Sequence, residues 1–400
     1  MLLPWPAERH RGTVTITDPS TRTDPTTPDP TTSVRATRRE VLPSIGVTSG
    51  VGYIGPNWYA SVMGTGIVAT AAVSLPVQGP VLRGWATAVW LLASLLLIMV
   101  TAATVAHWVR HPRVARSHLD HPVMSHFYGA PAMALLTVGA GALLVGQPLL
   151  GAAAVPLSAG LWTAGTALGL WTAVAVPVKA FTSHHTAPDA AFGGWLMPVV
   201  PPMVSAATGA QLIPHLSGDE ARQTLLFGCW ALFGMSLLAG LIIITLLWNR
   251  LVQHKIGAPA MVPTLWIVLG VLGQSITAAH HLGRQAAVVL PDPYGPVFEV
   301  IALAYGVPVW GFALLWLAIA ATITVRTARR GLPFSLTWWS FTFPVGTIVT
   351  GTAGLAAATG LMIFAVGAVV LYVVLVGAWI AVGVRTMRGV RQGTLLAPPA

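Results

Sequence analysis

Long apolar runs without charge recur along most of this chain and constrain its fold more than any other feature. Residues 91–106 and 261–279 contain no charged side chain, and similar segments follow one another from about residue 57 to residue 384. A run of about 20 apolar residues matches the hydrocarbon core of a bilayer at about 1.5 Å of rise per residue. Only 8% of the residues are charged, too few to cover a water-facing surface, which in soluble proteins carries about a quarter. The sequence therefore predicts a protein that crosses a membrane several times.

Ten segments have the length and hydropathy of a membrane span. Because the backbone in lipid must satisfy its own hydrogen bonds, we expect all ten to be α-helices. The predicted fold class is an all-α integral membrane protein with ten transmembrane helices. The predicted spans are residues 57–75, 85–109, 123–146, 156–181, 194–213, 223–248, 261–281, 297–325, 336–359 and 361–384.

The basic residues between these segments indicate the orientation of the chain. With an even number of spans, both termini lie on the same side of the membrane. If that side is the cytoplasm, 18 of the 21 Lys and Arg residues lie inside, and Arg83, Arg222 and Arg284 lie outside. Such an excess inside is typical of membrane proteins. We predict a multi-pass protein of the inner (plasma) membrane with cytoplasmic termini. Because the basic residues are spread along the chain, the net charge of +10 does not indicate nucleic acid as a partner.

The ends of the chain differ in composition from its apolar middle. Residues 13–33 are mostly Thr, Pro, Asp and Ser, which cannot bury enough apolar surface to offset the entropy of ordering. We therefore predict a disordered cytoplasmic tail over residues 1–52, a transmembrane domain over residues 53–387 and a short cytoplasmic tail over residues 388–400. Cys229 is the one cysteine, so no internal disulfide stabilises the fold.

Gly and Pro recur in the odd-numbered segments, whereas the even-numbered segments are plainer and rich in Leu or Ala. Broken helices are tolerated in a membrane where protein or a cavity re-satisfies the freed backbone groups. This pattern favours five hairpins, each pairing a broken helix with a straight one, with the odd helices around a central pathway. The alternative is that Gly and Pro are simply common in membrane helices. The residues concerned are Gly64, Gly66, Gly129, Pro131, Pro198, Pro201, Pro202, Pro263, Gly270, Gly273, Pro344, Gly346 and Gly351.

Two polar stripes in the odd segments are candidates for the wall of such a pathway. We expect Pro344 to bend the ninth helix, because its ring crowds the carbonyl four residues earlier. A ring at a bend, such as that of Phe343, can block a narrow path, and hydroxyls beyond it can hydrogen-bond a passing anion. Alternatively, the polar groups only bond neighbouring helices. At helical spacing the ninth segment aligns Ser340, Phe343, Thr347, Thr350 and Gly354, and the seventh aligns Gly270, Gln274, Thr277 and His281.

No ionisable residue lies near the centre of any predicted span. Lys179 and Glu299 lie close to span ends, from which their side chains can reach the interface. Proton relays and sodium sites usually need a carboxylate within the membrane. Polar but uncharged walls are better suited to conduction, because binding must be weak enough for release.

Histidines suggest a rival interpretation, a desaturase-like di-iron membrane enzyme, because imidazole is a suitable ligand for iron. The sequence lacks the His-x-x-His-His box, and the pair at 280–281 is predicted to lie across the membrane from the others. A phosphate-binding P-loop and a Gly-x-Ser-x-Gly elbow are also absent. We therefore predict no catalytic residue, no metal ligand and no cofactor. The inside histidines are His107, His111, His118, His121, His126, His184 and His185.

Three motifs give the chain a family resemblance. Residues 58–68 read WYASVMGTGIV, His121-Pro122 precedes the third span, and residues 338–346 read WWSFTFPVG. With these motifs, residues 55–387 resemble the tellurite-resistance/dicarboxylate transporter family. That family includes plant slow-type anion channels, bacterial tellurite-resistance proteins, fungal malate permeases and fungal sulfite efflux pumps.

The resemblance implies ten helices in five hairpins about a pseudo-fivefold axis, with the odd helices lining a pore. It also implies a homotrimer with one pore per subunit, and a pore closed by the phenylalanine that matches Phe343. The partners are small inorganic or organic anions and the lipid bilayer. A malate-like C4 dicarboxylate or sulfite is favoured over tellurite, nitrate or chloride. With Phe343 as the gate, the predicted lining residues are Gly64, Thr65, Gly129, Pro131, Pro198, Pro202, Gly270, Gln274, Thr277, Pro344, Thr347 and Thr350.

Overall fold

Twelve α-helices make up most of the part of the chain that the computed structural model describes, residues 51–184 and 186–396. Within these residues there is no β-strand. The predicted tail over residues 1–52 lies outside them except for its last two residues. The helices are α1 Tyr59–Ser74, α2 Pro80–Arg110, α3 Pro112–Asp120, α4 Gly129–Leu144, α5 Gln147–Leu150, α6 Ala154–Thr182, α7 Pro201–Gly209, α8 Asp219–His254, α9 Ile267–Val289, α10 Tyr294–Ala328, α11 Phe343–Thr359 and α12 Met362–Arg391.

Five of these helices form a closed inner ring. In chain order, α1 packs against α4, α4 against α7, α7 against α9, and α9 against α11, which returns to α1. Each inner helix is followed by a long outer helix, so that α1–α2, α4–α6, α7–α8, α9–α10 and α11–α12 are five hairpins. Each outer helix packs against its own inner helix and against the next inner helix of the ring.

The inner and outer helices differ strongly in how far they are buried. In the most apolar stretch of each span, 78%, 83% and 89% of the residues are buried for the inner spans that contain α4, α9 and α11, respectively. The corresponding share is 22–28% for the outer helices α2, α6, α8, α10 and α12. All nine residues of α7 and fourteen of the sixteen in α1 are buried. The Gly- and Pro-rich odd segments are therefore the central ones, as the sequence predicts.

Eight helices among the described residues are long and apolar enough to span a membrane. They confirm an all-α, multi-pass membrane fold. The first and fifth predicted spans correspond to α1, with 16 residues, and α7, with 9 residues, which are shorter than this. Both belong to the inner ring, but the count of ten transmembrane helices stays a prediction.

The prolines of the inner ring lie in the first turn of an α-helix or in the segment before it, which corrects the predicted bend at Pro344. A 3-10 segment precedes each inner α-helix, and Pro344 is the second residue of α11. The first N–H groups of a helix have no intrahelical acceptor, so a proline there removes no hydrogen bond. Proline within an α-helix interior of the described chain occurs instead in the outer helices, at Pro177 and Pro308. The 3-10 segments are Pro56–Trp58, Met124–Tyr128, Gly193–Leu196, Pro259–Trp266 and Leu336–Phe341, with Val51–Tyr53, Gly151–Ala153 and Ile213–His215 elsewhere.

Side-chain hydrogen bonds join the last hairpin to the first. Trp85 on α2 donates from Nε1 to Tyr372 Oη on α12 at 2.9 Å, and Tyr372 donates to the carbonyl of Val68 on α1 at 3.2 Å. Trp379, also on α12, donates to Thr65 Oγ1 on α1 at 3.1 Å. These bonds close the ring between the two ends of the transmembrane domain.

Candidate functional site

Two cavities lie along the axis of the inner ring, one on each side of Phe343. The N-side cavity is lined mainly by residues at or near the starts of the inner helices and has about 20 Å³ of room for the centres of water molecules. The C-side cavity is lined by residues farther along the same helices and has about 40 Å³. About 10–15 Å³ is enough for one water. Phe343 lines both cavities and is only 3% exposed.

The N-side cavity is apolar. Ser340 is the one residue with a polar side chain among those that line it. Three methionines and two phenylalanines supply most of its bulk. The remaining lining residues are Ala60, Met63, Phe127, Met133, Met197, Val200, Ile267, Gly270, Leu336, Phe343 and Pro344.

Nine of the fifteen residues that line the C-side cavity have polar side chains, and none of the fifteen is Lys, Arg, Asp or Glu. Every helix of the inner ring contributes to it, and six hydroxyls, two amides and one imidazole lie on its wall. These polar residues are Thr70, Ser74, Thr137, Thr208, Gln211, Gln274, Thr277, His281 and Thr350. The C-side cavity therefore has many more polar side chains on its wall than the N-side cavity, and Phe343 lines both.

Phe343 is the first residue of α11, directly after the 3-10 segment that carries Phe341. The Phe341 ring packs edge-on against Trp266 at 5.1 Å and against Trp338 at 5.6 Å between ring centres. It lines neither cavity. The change from 3-10 to α-helix at Thr342 therefore places two phenylalanines, two positions apart, in different surroundings.

Six of the residues predicted for the site line a cavity. The others lie in contacts between helices: a side chain on Gly129 would overlap the Met197 carbonyl, and one on Gly64 would overlap Thr342. Pro131, Pro198 and Pro202 are also outside both cavities. The six that line a cavity are Phe343, Gly270, Gln274, Thr277, Pro344 and Thr350.

Thr65 and Thr347 were expected to donate hydrogen bonds to an anion, but their hydroxyls form hydrogen bonds within the protein. Thr65 Oγ1 donates to the carbonyl of Ser61 at 2.7 Å and accepts from Trp379. Thr347 Oγ1 lies 2.7 Å from the carbonyl of Pro344 and is fully buried between α9 and α11. For these two residues the structure favours the interhelical role.

The hydroxyls on the wall of the C-side cavity also have protein partners. Thr70, Ser74, Thr137 and Thr208 each donate to a backbone carbonyl three or four residues earlier on the same helix, as Thr137 does to Met133 at 2.7 Å. Thr277 and Thr350 lie 3.0 Å from such carbonyls and 2.7 Å from each other across the α9–α11 contact. Because a hydroxyl has one hydrogen, one of these two donates to the other and the second donates to its carbonyl.

Gln274, Gln211 and His281 complete this wall. Gln274 is 5% exposed, and its amide makes no hydrogen bond to any described residue. The Oε1 atom of Gln211 is buried and also without a partner in the described chain. The Nδ1 atom of His281 lies 3.3 Å from the carbonyl of Ala207 on α7.

Several residues of this wall were missed by the sequence analysis. Thr70 and Ser74 on α1, Thr137 on α4, Thr208 on α7, and Gln211 in the turn just after α7 were not singled out. The sequence does contain a pattern that indicates them. Each is a polar residue in or next to a buried apolar helix, at helical spacing from another lining residue. The stripes on the seventh and ninth segments show the same pattern and were recognised.

Three of the predicted inside histidines, His107, His118 and His121, lie close together near α3 and the start of the third span. Burial lowers the pKa of His118 to about 4, and the nearby His107 and His121 act in the same direction. His121 accepts hydrogen bonds at Nδ1 from the backbone N–H groups of Val123 and Met124, each at 3.1 Å. Burial and His184 lower the pKa of His121, which favours the neutral ring that this bond requires. The His-Pro motif thus caps the segment that leads into α4.

The di-iron interpretation gains no support from this cluster. In the described chain, which omits His185, no three His, Cys, Asp or Glu side chains form a group that could hold a metal ion. The pair His280–His281 lies on α9, beside the C-side cavity.

Comparisons with known proteins agree with a transport pathway. The family model for SLAC1, described as voltage-dependent anion channel, matches residues 53–387, which include every residue that lines the two cavities. A sulfite efflux pump of Arthroderma otae is 27% identical over 334 residues, covering 82% of this chain and 88% of the pump. One of Trichophyton rubrum is 28% identical over 304 residues, covering 74% and 80%. An uncharacterised transporter of Methanocaldococcus jannaschii is 28% identical over 342 residues, covering 85% and 95%.

Proposed function

Because this chain belongs to the SLAC1 family of voltage-dependent anion channels, we propose that it moves small oxyanions through its inner ring. The family assignment confirms the resemblance noted in the sequence and identifies a multi-pass membrane transport protein for anions, not an enzyme. The observation that carries the proposed route is the position of Phe343 between two axial cavities. In this proposal Phe343 is the gate.

The two cavities would contribute differently to transport. An ion that leaves water must have its hydration replaced, because an unpaired charge in a low-dielectric medium is very costly. The C-side cavity offers polar side chains to an entering ion, among them the amides of Gln274 and Gln211, which have N–H groups free to donate. The N-side cavity offers Ser340 alone, so it would resist wetting and add to the barrier at Phe343.

Sulfite or a malate-like C4 dicarboxylate is the substrate that we propose. The sulfite efflux pumps among the relatives support sulfite, and the WWSFTFPVG motif resembles both the malate and sulfite branches. A chloride, nitrate or tellurite channel is the second candidate, supported by the family description as an anion channel. The proposal includes a homotrimer with one pathway per subunit in the plasma membrane, by the same resemblance.

Charge selectivity tests the proposed function most directly. We expect proteoliposomes that contain the protein to release radiolabelled sulfite or malate faster than protein-free liposomes. In a planar bilayer under a salt gradient, the reversal potential should lie close to that of the anion, because no acidic side chain lines either cavity. A reversal potential close to that of the cation would contradict anion transport.

The orientation can be tested separately. We predict cytoplasmic termini, because 18 of the 21 Lys and Arg residues then lie inside. A reporter enzyme fused after Ala400 that is active only in the periplasm should remain silent, and the same reporter inserted after Gly79, between α1 and α2, should be active. Activity of the Ala400 fusion would show that the number or orientation of the spans is wrong.

A further inference from the structure

Among the polar groups on the wall of the C-side cavity, hydrogen-bond acceptors outnumber free donors. A hydroxyl has one hydrogen to donate and two lone pairs that accept. All six hydroxyls on this wall direct their hydrogen to the protein, mostly to carbonyls of their own helices, as Thr137 and Thr208 do. Their oxygens are then left to accept hydrogen bonds from whatever occupies the cavity. The sequence-based expectation that these hydroxyls donate to a bare anion is not supported by this geometry.

His281 adds a further acceptor. The carbonyl of Ala207 cannot donate, so the Nδ1 atom of His281 that lies 3.3 Å from it carries the hydrogen. In a neutral imidazole the other nitrogen, Nε2, is then an acceptor. Nε2 makes no hydrogen bond to any described residue, and His281 lines the cavity. This hydrogen bond therefore leaves Nε2 of the neutral ring as an acceptor without a partner among the described residues.

Few groups on the wall of the C-side cavity have a hydrogen free to donate. The side-chain amides of Gln274 and Gln211 are the uncommitted N–H groups on the wall, and no cationic side chain lines it. An amide N–H₂ group can donate hydrogen bonds to an anionic oxygen. These two amides are therefore the groups on the wall that can bind the negative charge of a ligand. The wall as a whole suits a ligand that is anionic at one end and donates a hydrogen bond at the other.

We propose that the C-side cavity is a selectivity site for singly protonated oxyanions, such as hydrogen sulfite or a hydrogen dicarboxylate. The amide of Gln274 would hold the anionic oxygen, and the acidic O–H of the ligand would donate to the acceptors formed by His281 and the hydroxyl oxygens. Anions without a hydrogen, such as chloride, nitrate or chlorate, would face lone pairs that they cannot satisfy. This inference rests on the proposed function and specifies the chemical form of its substrate.

Chlorate is a matched probe, because it is a singly charged trioxo anion like hydrogen sulfite but has no hydrogen to donate. Proteoliposomes would be placed in potassium hydrogen sulfite or potassium chlorate with valinomycin, at a weakly acidic pH at which hydrogen sulfite predominates. Swelling measured by light scattering gives each entry rate. Protein-free liposomes give the leak to subtract, including any sulfur dioxide that crosses the lipid. We expect hydrogen sulfite to enter at least about tenfold faster than chlorate, since a site built for a ligand O–H strongly rejects an analogue without it.

The variant Thr208→Val removes one acceptor oxygen while keeping the branched shape. It should lower the ratio of the hydrogen sulfite rate to the chlorate rate about fivefold, the effect of one neutral hydrogen bond. The matched control is Thr352→Val, because Thr352 is fully buried, lines neither cavity and bonds Trp310 at 2.9 Å. It should leave the ratio unchanged, whatever its effect on protein yield.

The outcomes separate this inference from the proposed function. Equal rates for the two anions in the unaltered protein, or an unchanged ratio in Thr208→Val, would overturn the selectivity site while leaving anion transport in place. If neither anion enters faster than in protein-free liposomes, transport itself is overturned, and the selectivity site with it.

Discussion

Phe343→Ala should raise anion flux by about tenfold or more in folded protein, because each 1.4 kcal/mol removed from a barrier is worth about tenfold in rate. Phe343 lines both cavities and is nearly inaccessible at 3% exposure. Truncation to a methyl group would join the cavities into one path. The flux of radiolabelled sulfite or malate from proteoliposomes measures the effect. The apolar N-side cavity remains in this variant, so we expect a residual barrier.

The opposite expectation applies if Phe343 only packs between helices. Loss of a buried aromatic ring from a soluble core costs about 3–5 kcal/mol, which would lower yield and melting temperature without raising flux. Phe341→Ala is the matched control, because the Phe341 ring packs on Trp266 and Trp338 and lines neither cavity. It should not raise flux. Unchanged flux in inserted Phe343→Ala, or an equal increase in Phe341→Ala, would refute the gate.

Gly273→Ala should severely reduce the yield of folded protein. A Cβ atom on Gly273 would lie 2.5 Å from the backbone of Thr347 and Ile348 on α11. Because the obstacle is backbone and not the end of a flexible side chain, α9 and α11 would have to separate. We expect a loss of several kcal/mol, at or above the range of about 1–3 kcal/mol for overpacked cores. Monodisperse yield and melting temperature in detergent measure it.

Gly311→Ala is the control for this substitution. Gly311 lies in α10, the outer partner of α9, and a Cβ atom there would meet nothing within 4 Å. Replacing a helical glycine by alanine usually stabilises a helix by about 1 kcal/mol, so the melting temperature should stay the same or rise. If the two variants behave alike, the close approach of α9 to α11 does not limit the fold.

The sequence predicted the architecture well because the relevant physics is local to each segment. Length, hydropathy and the distribution of Arg and Lys identify helices and their order without any long-range contact. The Gly- and Pro-rich odd segments are the buried ones because only small or unusual residues allow five helices to meet at one axis. Gly129 and Gly273, which leave no room for a side chain, are examples.

The details of the site were less predictable because they depend on pairs of residues far apart in sequence. The sequence analysis predicted both Thr65 and Thr350 as lining residues, but Trp379 binds the Thr65 hydroxyl from α12, whereas Thr350 reaches the C-side cavity. Residue spacing also does not indicate which carbonyl accepts the hydrogen bond from a given hydroxyl. The position of Pro344 at a helix start follows from the 3-10 segment before it, which the apolar pattern does not distinguish from a continuing α-helix.

The closure of the inner ring by its last hairpin has a consequence for biosynthesis. Until α11 and α12 emerge from the ribosome and insert, α1 lacks the partners that bond Val68 and Thr65, and the chain also lacks Phe343. The inner ring and the proposed gate are therefore completed by the same last hairpin. A chain that ends before α11 lacks one of the five inner helices, so its ring is open between α9 and α1 and cannot enclose a pathway.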